Sequence, residues 1–503
     1  MTEAAEADIC LVVEGAYPYV AGGVSSWMDW LIRSQPETRF TVVAVVADDR
    51  PRESRYQLPP NVVSLQSFAL SPRARRPRAG RPDLNPTAYS DALLDLWVNG
   101  DLGAFDRLSA LAQTPVSRHG ALSRWRRPQR PDHADLVSSE LAWDAMCICY
   151  DHLAPQAAFS EFFWAWRTLV GGLMAVLTAP VPKARAYHAI STGYAGLYAA
   201  RAARATGARC AITEHGIYTN ERRIDLIKAE WITDTLQRAF DLDDVRRDIR
   251  EVWISAFEGF ARATYAASDH ITTLYSANQS FQRTLGAEED RLRVIPNGIV
   301  LEKFAELTPK RGKPRPVVGL IGRVVPIKDI EACILAAARI RDAVPDVEVR
   351  IIGPTDEDPA YFEACRARVV DLGLENTVVF TGLMNIIDVL PDLDVLLLSS
   401  ISEAQPLVLL EAGAAGLPCV ATDVGSCREI IEGPPSEDPP LGAGGRIVPA
   451  MDAEALGAAT VELLQDEDLR RACGEALRRR VKTHFTAKAA AERYSALYRE
   501  LAA

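Results

Sequence analysis

No apolar run in this chain is long enough to cross a bilayer. The longest, residues 168–181, is interrupted by Gly171-Gly172 and flanked by Arg167 and Lys183. It falls short of the roughly 20 residues a spanning helix needs, and a buried helix is predicted instead. The opening residues, Met-Thr-Glu-Ala-Ala-Glu-Ala-Asp, are polar and acidic, so no secretory signal is expected. Positive charge is not in excess either. The net charge of −11 argues against a nucleic-acid partner held mainly through phosphate contacts. Paired cysteines are also lacking. The nine are scattered, and Cys147 and Cys149 lack a second pair at zinc-ligand spacing. Reduced thiols in a cytoplasmic protein are expected.

What is present is ordinary for a globular enzyme: 48% apolar and 24% charged residues. A chain of 503 residues is too long for one core, so two domains are expected, with a third left open. Residues 9–13 form a short apolar strand ending in Glu14-Gly15. A turn with Gly22-Gly23 follows, then a helix with Val24, Trp27, Met28 and Leu31 at i, i+3, i+4, i+7. With a second strand at 41–47, this opens a doubly wound α/β unit. Glycines at such a turn let backbone approach a bound group, or simply close a tight turn.

From about 48 to 185 the alternation is lost, and a largely helical insertion is predicted. Two stretches within it are rich in arginine: 71–81 (Arg73, Arg75, Arg76, Arg78, Arg81) and 118–130 (Arg118, Arg124, Arg126, Arg127, Arg130). They read as solvated loops or as a docking surface for an anionic membrane or acidic partner. Strands then return at 187–191 and 210–213, and Glu214-His215-Gly216 stands at the end of the second. A lone histidine is commonly structural, yet strand-end loops are where ligands collect. A helical region at 224–267, strands at 271–274 and 292–295, and the turn Pro296-Asn297-Gly298 complete this half.

The hydrophilic connector 308–316 marks the expected domain boundary, giving domains 1–307 and 308–483 and a final helix, 484–503. That last helix is expected to pack back on the first domain. Strands are predicted at 317–321, 347–352, 378–381, 395–398 and 419–422, with helices at 329–343, 360–372 and 407–415. Residues 434–445 read as a surface loop, and everything from Ala453 as helix.

The chemistry concentrates at residues 399–411, Ser-Ser-Ile-Ser-Glu-Ala-Gln-Pro-Leu-Val-Leu-Leu-Glu, a strand-to-helix turn. Pro406 suits the first helical position, where its missing N–H would be unpaired anyway. Glu403 lies in the loop and Glu411 about a turn and a half into the helix. Helix N-termini at strand ends present N–H groups to anions, and carboxylates there accept hydrogen bonds from ligand hydroxyls. That combination suggests a sugar nucleotide. Gly322-Arg323 and Lys328 follow another strand of the same domain. A planar guanidinium fork and a compact ammonium, five residues apart across a turn, can both reach one diphosphate. One carboxylate then serves the sugar and the other the ribose.

At these residues the sequence resembles the retaining family-four glycosyltransferases of the GT-B fold. The resemblance is carried by Gly22-Gly23-Val24, Glu214-His215-Gly216, Pro296-Asn297-Gly298, Gly322-Arg323 with Lys328, Phe380-Thr381-Gly382, and Glu403 to Glu411. The runs Glu14 to Trp27, Thr213 to Tyr218 and Ser402 to Pro406 are similar to the PelF-type enzymes of Pel exopolysaccharide synthesis. The resemblance implies two Rossmann-like domains facing a cleft, UDP-sugar donors with UDP-glucose foremost, and a glycan acceptor. It also implies peripheral association with an inner-membrane polysaccharide synthase complex.

Carried over, Arg323 and Lys328 hold the diphosphate, and Glu403 binds donor-sugar hydroxyls. Gln405, Pro406 and Leu407 support sugar or phosphate, and Glu411 holds the ribose. His215 faces the reacting sugar, Gly22 and Gly23 line the phosphate or acceptor side, and Asn297 belongs to the binding set. Where many members have Gly-Phe-Gly, this chain has Ala404-Gln405-Pro406. No metal or other cofactor is expected. Asp241-Leu-Asp243 and Asp392-Leu-Asp394 resemble the Asp-x-Asp motif of the other major glycosyltransferase fold but are assigned structural roles. Rival readings are a sugar-nucleotide 2-epimerase and a UDP-binding scaffold subunit without turnover.

Overall fold

The apolar runs assemble into two parallel sheets. The computed structural model describes residues 7–73, 81–119, 128–227, 249–307, 310, 312, 314–434 and 436–503. They fall into two compact units. One comprises Met1–Thr273, Gln279–Arg293 and Ser495–Ala503; the other comprises Leu274–Asn278 and Val294–Tyr494. The second unit thus takes up the chain at Val294, ahead of the connector at 308–316, and the final turns of the last helix group with the first unit.

The strands of the first part of the chain are β1 (Ala7–Glu14), β2 (Phe40–Asp48), β3 (Val62–Ser71), β4 (Arg81–Pro82), β5 (Arg118–His119), β6 (Ala184–Ala189), β7 (Arg209–Glu214), β8 (His270–Thr273) and β9 (Leu292–Val294). Apart from the small antiparallel pair β4–β5, they form one sheet in the order β3-β2-β1-β6-β7-β8-β9. β1 sits inside it, paired in parallel with β2 and β6, which is why its sequence is apolar without alternation.

The alternation does not stop at Asp48, contrary to the sequence expectation. β3 pairs in parallel with β2 from Val62 to Ser71. Its sequence, VVSLQSFALS, is broken by serines and glutamine, and only Ala69 is buried. An edge strand covered in part carries no continuous apolar signature, so it was illegible. The helices expected in the insertion are Pro86–Leu94, Leu102–Gln113, His133–Val137, Glu140–Leu153 and Phe159–Thr178. Asn85 caps the first, with Pro86 behind it, and Asp132 and Asp135 form a capping box on the third. Trp97, Phe105, Phe162 and Trp166 are buried within this region, each contributing about 1.5–3 kcal/mol through loss of water contact. The run 168–181 lies mostly in Phe159–Thr178, buried as predicted; among the described residues no helix is long and apolar enough to cross a membrane. All nine cysteines are free. Arg75, Arg76, Arg78, Arg124, Arg126, Arg127, Asp241 and Asp243 lie outside the described residues.

The second unit holds β10 (Val317–Ile321), β11 (Glu348–Ile352), β12 (Val378–Gly382), β13 (Val395–Leu398), β14 (Cys419–Thr422) and β15 (Gly445–Val448). β15 was not foreseen, because it directly follows the proline- and glycine-rich loop. The order is β12-β11-β10-β13-β14-β15, with every pair parallel. This doubly wound order reverses direction between β10 and β13, and the crevice outside such a reversal is where ligands bind. Beyond Ala453 the chain forms helices Ala453–Gln465, Glu467–His484 and Ala487–Ala502, with breaks between them.

Candidate functional site

The reversal point of the second sheet brings two sequence-predicted residues together. After β10 the chain turns through Gly322 and a short 3-10 segment, Pro326–Lys328. Asp329, with φ 46°, then caps the helix Ile330–Ala343 by accepting from the Ala332 N–H. After β13, Ser399 donates its hydroxyl to the Lys328 carbonyl at 2.8 Å, and the Ile401 N–H donates to the Ile327 carbonyl at 2.9 Å. These links bind the two strand-end loops to each other. Across them, Lys328 Nζ lies 2.5 Å from Glu403 Oε1, which also accepts from the Ser400 hydroxyl at 2.7 Å. Both side chains are largely enclosed, 21% and 13% exposed. The loop carrying Glu403 is backed by Gly425 (φ 54°), where a Cβ would stand 2.2 Å from the Glu403 carbonyl oxygen. Only glycine fits there.

Arg323 does not join this pair. Its guanidinium contacts both carboxylate oxygens of Glu357, at 2.5 and 2.8 Å, on the surface. In this structure each of the two cations is held by its own carboxylate. Gln405 is also occupied. Its amide oxygen accepts from the Asn297 N–H at 2.7 Å, fixing the Pro296-Asn297-Gly298 turn to the loop after β13. Its buried side chain is therefore a clamp, and the departure from Gly-Phe-Gly has a structural reason. Asn297 Oδ1 is buried with no hydrogen-bond partner.

Pro406 precedes the helix Leu407–Ala415 as its cap, rather than being its first residue. Its extended backbone leaves the N–H groups of Leu407 and Val408 at the helix entrance without intrahelical acceptors. Leu407 itself is 46% exposed. Glu411, the fifth residue of this helix, is partly buried and accepts no hydrogen bond among the described residues. Burial raises its pKa above the usual carboxylate value, against the opposing Lys303 charge. Asp392 pairs with Lys310 at 2.6 Å, and Asp394 accepts from the Val317 N–H at 2.8 Å, so both aspartates of Asp392-Leu393-Asp394 have local partners.

In the first unit, the strand ends carry different groups. Gly22 and Gly23 are exposed at the start of the helix Gly23–Ser34, and a Cβ at either would meet nothing within 4 Å. The same helix presents Trp27, whose ring meets His215 edge-on at 4.4 Å between centroids. Burial pushes His215 down to about 4, and its Nε2 is buried without a partner. Sequence reasoning gave no role to Glu14 or Glu214, both carboxylates at the ends of apolar strands, a signal legible in the sequence. Glu14 accepts from the Tyr218 hydroxyl at 3.1 Å, while its Oε2 is buried and unpartnered. Glu214 accepts from Tyr265, Gln282 and Thr192. Burial raises the pKa of both carboxyls.

Residues 7–290 match the family described as Domain of unknown function (DUF3492). The chain belongs to that family. Residues 315–466 of this DUF3492 protein match a second family, Glycosyl transferases group 1. An exopolysaccharide phosphotransferase of Streptomyces coelicolor is 33% identical over 232 residues, covering 44% of this chain and 22% of that protein. An N-acetyl-alpha-D-glucosaminyl L-malate synthase of Bacillus anthracis is 31% identical over 173 residues, 34% of this chain and 42% of that one. The DUF3492 chain thus spans less than half the length of either relative. Among solved structures, HepE of Anabaena in complex with UDP superposes with a TM-score of 0.57 at 12% identity, over 98% of this chain and 100% of that one. That likeness establishes the fold. Two Rossmann-like α/β domains of the GT-B class are present, as the motifs implied.

Proposed function

We propose that this chain transfers a hexose from a UDP-sugar, UDP-glucose foremost, to a growing exopolysaccharide, with retention at the anomeric carbon. The observation that carries the reading is the Lys328–Glu403 pair at the β10/β13 reversal, beside the entrance of the helix Leu407–Ala415. A cation and a carboxylate on adjoining loops match the two ends of a sugar diphosphate: phosphate oxygens for one, sugar hydroxyls for the other. Donor binding would exchange the internal pair for these contacts, and Arg323 would leave Glu357 for the diphosphate. Glu411, short of partners, would take the ribose hydroxyls. Asn297, the backbone of Gln405, Pro406 and Leu407, and Gly22 and Gly23 would line the donor and acceptor.

In the reaction the C1–O bond to UDP breaks while the acceptor oxygen bonds to C1 from the same face. The acceptor proton passes to the departing phosphate oxygen. Arg323 and Lys328 stabilise the charge on UDP as it leaves, and the neutral His215 ring holds the reacting sugar. No metal is invoked, so turnover should survive EDTA. A PelF-like place at an inner-membrane synthase complex belongs to the same reading.

Thermal scanning with UDP-, GDP- and ADP-sugars tests the donor, since the tightest ligand shifts the transition most. NMR of the glycoside then reports its anomeric configuration. A largest shift from GDP or ADP sugars sinks the donor assignment, and an inverted product sinks retention. An epimerised donor without glycoside identifies an epimerase, and UDP binding without turnover a scaffold.

A further inference from the structure

The first unit carries a groove that the donor chemistry does not use. Two adjoining cavities, about 730 and 320 Å³, share Val137, Ser138 and Arg167. The larger is lined on one side by Trp164, Arg167, Thr168 and Gly171, one face of the helix Phe159–Thr178 at i, i+3, i+4, i+7 spacing. On the other side stand Asp49, directly after β2, and Ser71 at the end of β3. Its floor includes His133, whose Nε2 is fixed 2.9 Å from the Gly171 carbonyl oxygen. An indole marks each cavity: Trp164 is 63% exposed and Trp143 is 50% exposed. Between them Arg167 lacks a hydrogen-bond or ion-pair partner among the described residues.

This groove lies at the carboxyl ends of β2 and β3, the same edge of the sheet that carries Glu14 after β1 and His215 after β7. Adjacent strands stand about 4.8 Å apart, so from β7 to β3 the edge runs roughly 19 Å. That suits an extended ligand. Large exposed indoles offer flat apolar faces, and a guanidinium, a carboxylate and hydroxyls offer polar contacts in fixed directions. A sugar ring has the complementary make-up, with a C–H face and a rim of hydroxyls. Asp49, Asp132 and Glu140 line the cavities, which disfavours an anionic lipid surface.

The geometry points to a remote glycan subsite, in which Trp164, Arg167 and Trp143 hold sugar residues of a chain several units from the reacting end. The choice of occupant rests on the glycosyltransferase reading; the groove does not. The test is calorimetric binding of hexasaccharides and disaccharides of α-glucose, β-glucose and β-N-acetylglucosamine to the full chain, with UDP-induced thermal shift measured on the same samples. At least one hexasaccharide should bind, its disaccharide at least tenfold more weakly. Trp164→Ala and Arg167→Ala should each cut hexasaccharide affinity at least tenfold while leaving the UDP shift unchanged. Both side chains reach the surface, so these variants keep the fold. No binding by any hexasaccharide, or binding equal in wild type and both variants, overturns the subsite even if UDP-sugar turnover is intact. Conversely, length-dependent binding lost in the variants, with no turnover from any UDP-sugar, upholds the subsite and sinks the transferase reading.

Discussion

The two sheets end in opposite kinds of polar chemistry. At the ends of β10 and β13 the candidate groups are charged and already matched, Lys328 with Glu403, and Arg323 with Glu357 on the surface. At the ends of β1 and β7 they are partly buried and incompletely satisfied: Glu14 and His215 each have one buried polar atom without a hydrogen-bond partner. Desolvation pushes these groups toward their neutral forms. One edge is therefore prepared to exchange ion pairs for a charged ligand. The other offers partly buried hydrogen-bonding groups with unfilled capacity, which suits hydroxyls. Under the proposed transfer, that contrast matches a charged donor at one edge and a hydroxyl-bearing acceptor at the other.

The largest expected effect tests the charged edge. Lys328→Ala should lower turnover by about 10²–10³, the cost of removing one preorganised group that stabilises developing charge. Arg323→Ala should lower it comparably, but the two should differ in stability. Removing Lys328 strands a mostly buried carboxylate, costing about 1–3 kcal/mol, whereas the exposed Arg323–Glu357 pair is worth about 0–1 kcal/mol. Steady-state assays and denaturant melts separate the two quantities. Equal melts for both variants would show that Lys328 and Glu403 are not a coupled pair in solution.

Glu411→Ala comes next. If this carboxylate meets ribose hydroxyls, charged hydrogen bonds of about 1.5–3 kcal/mol are lost, and UDP affinity should fall at least tenfold by calorimetry. Unchanged UDP affinity would remove Glu411 from the site. A smaller effect is expected from Gln405→Ala, which frees the Asn297 turn. Stability should drop by about 1 kcal/mol, and KM for the donor should rise more than kcat falls. A kcat loss alone would make Gln405 a participant in the chemistry.

The second sheet was more legible than the first, for physical reasons. Its central strands β13 and β14 are fully buried and parallel, so they appear as unbroken apolar runs, and Val395–Leu398 and Cys419–Thr422 were located to the residue. What the sequence could not show was side-chain partnership. Arg323 turns to Glu357, distant in sequence, and Gln405 turns back to a loop 108 residues earlier. In the first sheet, β3 was hidden by its mixed polarity. Glu14 and Glu214 stand in the sequence at the ends of apolar strands, but their hydrogen-bond partners Tyr218 and Tyr265 lie far along the chain and carry no local signal.

The smallest expected effect concerns His188, which bonds to Thr213 in the strand that leads to His215. Its ring is fully buried between the Tyr498 hydroxyl at 2.9 Å and the Thr213 hydroxyl at 2.8 Å. Burial, aided slightly by His215, pushes it down to about 3. An unfolded histidine titrates near 6.5. As pH falls from there toward 3, the unfolded chain takes up a proton that the folded one refuses, so this residue removes stability progressively across that window. His188→Gln keeps a hydrogen-bonding side chain but does not titrate. Wild type should be the more stable at pH 7, and its advantage should shrink as pH falls from 6.5, even though Glu14 and Glu214, with raised pKa values, pull stability the opposite way in both proteins. Melting curves at several pH values give the difference directly. A gap independent of pH would mean that the ring takes up its proton as readily in the fold as in the unfolded chain, and His188 would then not be held neutral by its burial.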